Sequence, residues 1–167
     1  MKNTHCYLEI ICVDDGSTDN SLAILNEAAR IDQRIKIIST DNNGVSKARN
    51  LGLAVASGDY VSFVDADDWI HPKYFEILLS IAKCNNADIV IGKEQKVYSE
   101  IEIQEYEYGV PYKKMSINDI FNNYGAKQHV WGRIYRKKIM DGIWFDENIK
   151  YGEDVCFNLN ILLDNKI

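Results

Sequence analysis

Between Leu8 and Tyr98 the chain alternates short apolar runs with longer amphipathic ones, and this alternation constrains the fold more than any other feature. "LEIICV" (Leu8 to Val13) and "IKIIST" (Ile35 to Thr40) are short, β-branched and bounded by turn residues, so both read as strands. "YVSFVDA" (60–66) and Ala87 to Tyr98 read as two more. Helices fill the intervals. One is capped at Asp19 or Asn20 and runs through Ala28 and Ala29, a second covers 47–56, and a third has Pro72 in its first turn and reaches Asn85. Strand–helix alternation defines an α/β class with right-handed crossovers. Strands apolar on both faces predict a mostly parallel sheet flanked by helices. Such sheets bind ligands beyond the carboxyl ends of their strands.

Acids collect at those ends: Asp14 and Asp15 after the first strand, Asp65, Asp67 and Asp68 after the third. Like charges this close repel one another. A divalent cation among them removes that cost, and magnesium or manganese favours carboxylate oxygens, with substrate phosphates completing the shell. Asp67 and Asp68 also precede a helix, where acids favour its dipole, and "DDGSTD" serves equally as a turn and cap. Lys47 and Arg49 fit a solvated helix face as well as an anion site, and Glu153 and Asp154 fit a helix start as well as a catalytic pair.

The net charge of −6 argues against a nucleic-acid surface and requires a local cation for any anionic substrate. No apolar run approaches the roughly 20 residues that span a bilayer, and "MKNTHCYLEIICVDDG" lacks signal-peptide form. A cytoplasmic protein is expected, with peripheral association at the inner face of the membrane left open. Cys6, Cys12, Cys84 and Cys156 form no C-x-x-C pair, and Cys12 and Cys156 read as small core residues.

After Tyr98 the pattern changes. "SEIEIQEYEYGVPYKK" suggests a hairpin or an extended excursion, "SINDIFNNYG" a short helix capped by Ser116, and "GEDVCFNLNILL" a helix with Glu153 and Asp154 in its first turn. Residues 1–167 are read as a single domain in two parts, 8–98 and a lobe at 99–167 packed on it.

"EIICVDDGSTDNS", "NNGVSKARNLGLAVASGDYVSFVDADDW" and "GEDVCFNLNIL", in this order, resemble the inverting family 2 glycosyltransferases of GT-A fold. The resemblance, carried by these three motifs, implies that 8–98 is a nucleotide-binding half and 99–167 an acceptor-side lobe. It also implies a Rossmann-like sheet and transfer of a sugar from a nucleotide-diphosphate sugar, of UDP type, to a saccharide or lipid-linked acceptor hydroxyl. The transferred group would be a hexosyl or N-acetylhexosaminyl unit, in cell-surface polysaccharide synthesis. Asp15, beside Asp14, matches the acid that meets the base, and Arg49 or Lys47 the basic position near the nucleotide. Asp65 and Asp67 match the D-x-D metal and diphosphate ligands, with Asp67 the more direct. Asp68 extends that motif toward sugar or ribose, and Trp131 falls near the acceptor region or in the core. Asp154 matches the catalytic base, with Glu153 as the fallback. Mn2+ or Mg2+ is the implied cofactor. Family members begin with a "VSIIVPVYN" strand and a helix, which have no counterpart before Leu8, and "LLDNKI" stops where a lobe normally continues. A domain lacking its first strand is therefore expected. The alternative to the enzyme is an inactive truncated remnant or an interaction module.

Overall fold

A computed structural model describes residues 8–92, 114 and 129–165. Its elements are β1 (Ile10–Asp15), α1 (Ser21–Ile31), β2 (Ile35–Thr40), α2 (Val45–Val55), β3 (Tyr60–Val61), α3 (Tyr74–Asn85), β4 (Ile89–Ile91), β5 (Arg133–Arg136), a 3-10 turn (Lys137–Met140) and α4 (Glu153–Asn165). The α/β class holds, and β1 and β2 are parallel, with Ile10 opposite Ile35 and Asp15 opposite Thr40. β5 lies between β3 and β4, antiparallel to both, so β3 and β4 run in the same direction across it.

Several boundaries differ from expectation. The first strand extends to Asp15, which makes Asp14 and Asp15 its last two residues rather than its sequel. The third strand pairs regularly over only two residues, Tyr60 and Val61; Phe63 then meets Trp131 in an isolated parallel bridge. Gly132 makes that bridge possible: its φ of +72° reverses the chain between Trp131 and β5. α3 starts at Tyr74, so Pro72 precedes the helix instead of sitting in its first turn. Asp19, not Asn20, supplies the polar group at α1, accepting the Ser21 N–H at 2.9 Å. The hairpin at 99–114, the Ser116 helix and the strand beyond Gly92 fall outside the described residues, apart from Lys114.

The core follows from β5. It is the central strand, with α3 covering one side and α4 the other, so Ile134 and Tyr135 are buried on opposite faces between its two terminal arginines. Ile134 packs with Leu78, Ala82 and Val90; Tyr135 packs with Phe145, Phe157, Ile161 and Leu53. Phe145 and Phe157 stack at 3.9 Å, and Phe63 meets both edge-on at 5.3 and 6.0 Å. The buried Tyr135 hydroxyl donates to Asn158 Oδ1 at 2.7 Å, tying the sheet to α4. α2 joins the two sheets. Its Leu53 enters the Tyr135 cluster, while at Gly52 a Cβ would touch Val13 Cγ2 at 3.5 Å. Cys12 and Cys156 are half-buried rather than core, and burial pushes the Cys12 thiol up.

Candidate active site

Two groups of residues stand at the carboxyl ends of β1 and β3. The first is built on "DDG". Asp15 accepts the backbone N–H groups of Asn43 and Gly44 at 2.9 and 2.8 Å, so its carboxylate holds the loop that leads into α2. Gly16 allows this approach. Its φ is +74°, and a Cβ there would lie 2.6 Å from the Asn42 nitrogen. Lys47 Nζ reaches Asn43 Oδ1 at 3.4 Å and so stands beside the Asp15 loop. Asp14 is only 5% exposed: Oδ2 accepts from Ser39 Oγ at 3.2 Å, while Oδ1 is buried with no partner among the described residues. A buried carboxylate oxygen without a donor is costly in a resting protein and fits a ligand N–H.

The second group gathers around Arg49. Nη1 donates to Glu153 Oε1 at 2.8 Å and Nη2 to Asp65 Oδ1 at 3.1 Å, and the guanidinium lies 5.5 Å from the Phe145 ring centroid. Asn50, next on α2, pairs with both backbone groups of Phe145 at 2.9 Å, fixing α2 against the segment that leads to α4. Of the two candidate cations, Arg49 therefore joins the D-x-D acid to the α4 start, and Lys47 sits apart with Asp15.

Asp65, Asp67 and Asp68 occupy one turn, closed by the Asp68 N–H donating to the Asp65 carbonyl at 3.1 Å. Asp67 and Asp68 are exposed. Partial desolvation of the otherwise exposed Asp68 carboxyl first, then the charges of Asp65 and Asp67, raise it above its usual range. Among the described residues no three acidic, His or Cys side chains form a ready-made metal cage. The donor set still fits a hard cation that takes one or two carboxylates and completes its shell with phosphate and water, because negative charge accumulates here beyond what Arg49 offsets.

Asp154 opens α4 beside Glu153. Its Oδ1 accepts the Val155 N–H at 2.8 Å, and its Oδ2 lies 3.1 Å from His129 Nδ1. His129 stacks on Trp131 at 4.7 Å, with 9° between the rings. Trp131 is half-buried, stacked on the imidazole that meets Asp154. Asn50 lies within the "NNGVSKARN" stretch without being singled out there, and His129 belongs to no motif; only their partners reveal them. A shallow groove lined by Tyr60, Lys83, Arg136 and Trp144 lies at the other end of β3, away from the acids.

The family described as "Glycosyl transferase family 2" matches residues 1–146. "Glycosyltransferase GlyA" of Streptococcus pneumoniae serotype 4 is 37% identical over 100% of this chain and 26% of its own length. "Cholesterol galactosyltransferase" of Borreliella burgdorferi is 33% identical over 93% of this chain and 47% of its own. The crystal structure of S. aureus TarS 1–349 in complex with UDP-GlcNAc superimposes with a TM-score of 0.74 at 27% identity, covering 95% of this chain and 45% of that one. TarS 1–349 in complex with UDP gives a TM-score of 0.77. The fold and the site thus define a GT-A nucleotide-sugar transferase architecture. This chain belongs to the family 2 glycosyltransferases and spans 26% to 60% of the length of the first three curated relatives.

Proposed function

We propose that the chain carries the donor site and catalytic base of an inverting glycosyltransferase that moves a sugar from a UDP-sugar to an acceptor hydroxyl. The observation that carries this is Arg49, which brings the D-x-D acid Asp65 into one ion-pair chain with Glu153, neighbour of Asp154. The buried Asp14 Oδ1 and the loop held by Asp15 support a base pocket at the end of β1. Their carboxylates suit an imide N–H, which only donates.

In the proposed reaction Asp154 takes the acceptor hydroxyl proton. The acceptor oxygen bonds to the anomeric carbon as the bond from that carbon to the diphosphate oxygen breaks, and the nucleoside diphosphate leaves with the electron pair. One displacement inverts the configuration. Asp65 and Asp67 would hold Mn2+ or Mg2+, which when bound offsets charge on the departing diphosphate. The donor unit is of hexosyl or N-acetylhexosaminyl type, in keeping with the UDP-GlcNAc held by TarS. The acceptor is a saccharide or lipid-linked saccharide in cell-surface polysaccharide synthesis. We place the protein at the inner membrane face as a peripheral partner; no helix among the described residues is long and apolar enough to cross a membrane.

A thermal-shift screen of nucleotide sugars with Mn2+ tests the donor class. Stabilisation by UDP and one UDP-sugar, absent with GDP, ADP or CMP nucleotides, is the expected result. No stabilisation by any uridine nucleotide contradicts it.

A further inference from the structure

We infer that His129 is a positioning residue for Asp154, an inference that rests on Asp154 being the base. An ionised carboxylate only accepts, so in this pair the proton sits on His129 Nδ1, donated across 3.1 Å to Oδ2. With Oδ1 receiving the Val155 N–H at 2.8 Å, each oxygen is held by one donor and the plane of the carboxylate is fixed. The imidazole is itself oriented by its stack on Trp131, and Trp131 bridges Phe63, two residues before Asp65. One chain of contacts therefore runs from the D-x-D strand through Trp131 and His129 to the base. It sets where the base stands relative to the donor. A general base held in one orientation toward the proton it takes loses less freedom on the way to the transition state, and this is what the imidazole supplies.

Two variants separate the donor from the stack. His129→Phe keeps a ring against Trp131 and loses the N–H; His129→Asn offers an amide N–H near the Nδ1 position and loses the stack. The probe is UDP release from UDP-GlcNAc with Mn2+ and water as acceptor, measured on the full chain alongside UDP binding. His129→Phe is expected to lower kcat about 10- to 100-fold, with UDP affinity and KM within about twofold of wild type. His129→Asn is expected to regain most of that loss. A His129→Phe protein with wild-type kcat, or one whose loss lies in KM, overturns the assignment. So does a His129→Asn protein as slow as His129→Phe; if the Phe variant fails to fold, the Asn variant decides alone. A wild type that binds UDP and never releases it from UDP-GlcNAc brings down the functional reading and this inference together, whereas the variant outcomes bring down His129 only.

Discussion

Asp65 takes its charge partner from Arg49, whose Nη2 lies 3.1 Å from Oδ1, and the same guanidinium holds Glu153 at 2.8 Å. The arginine side chain is 13% exposed and Glu153 14%, so removing the cation strands a carboxylate away from water. Arg49→Met should cost about 2 kcal/mol in urea unfolding. Arg49→Lys should recover less than half of that, because one ammonium cannot span two carboxylates as a fork does. A loss below about 0.5 kcal/mol for Arg49→Met, the range of an ordinary surface pair, would show the bridge is not formed in solution.

Gly16→Ala tests the other half of the site. The residue needs a left-handed φ of +74°, and a Cβ would press to 2.6 Å on the Asn42 nitrogen. The backbone strain alone is about 1–3 kcal/mol, and the clash adds to it. Asp15 would lose its grip on the Asn43 and Gly44 N–H groups, so thermal stability and UDP affinity should fall together. Unchanged melting with unchanged UDP affinity would contradict the loop geometry.

The first half of the chain was legible because its signals are local. Short apolar runs bounded by turn residues marked β1 and β2, and a capping residue, an amphipathic stretch and Pro72 marked α1, α2 and α3 to within a few residues. β5 escaped because "RIYR" is too short to show a period and its burial comes from α3 and α4 on either side. The acids could be placed at strand ends from sequence, yet their partners could not. Arg49 and Glu153 are 104 positions apart, and nothing local distinguishes Arg49 from Lys47 until the fold brings α4 beside α2. Asn50 and His129 were missed for the same reason. Each acts through a segment distant in sequence, Phe145 in one case and Asp154 in the other.

Asp68 gives a pH signature. Partial desolvation and the charges of Asp65 and Asp67 raise its carboxyl in the folded protein. A raised folded value means that its contribution to stability is present below the unfolded pKa and lost as pH rises through the folded one. Asp68→Asn removes that loss. Without divalent cations the variant should melt above wild type at neutral pH, and the gap should close near about pH 3, where both carry a neutral side chain. A gap that persists at acid pH would point to packing rather than charge.

Asp154→Asn keeps the shape of the side chain and removes its basicity. Turnover should drop at least about 100-fold, with UDP binding within about twofold of wild type. Glu153→Gln instead should weaken the Arg49 bridge and lower stability. Turnover surviving Asp154→Asn and vanishing in a folded Glu153→Gln would exchange the two roles.

The role proposed for the strand-end acids is a donor site that works through a cation. Calorimetric titration of UDP into the protein, in Mn2+ and again in EDTA, for wild type and Asp67→Ala, tests it most directly. The predicted result is binding in Mn2+ that weakens at least about tenfold, or about 1.4 kcal/mol, both in EDTA and in Asp67→Ala. Equal UDP affinity in all of these conditions, or no UDP binding by wild type with Mn2+, would contradict it.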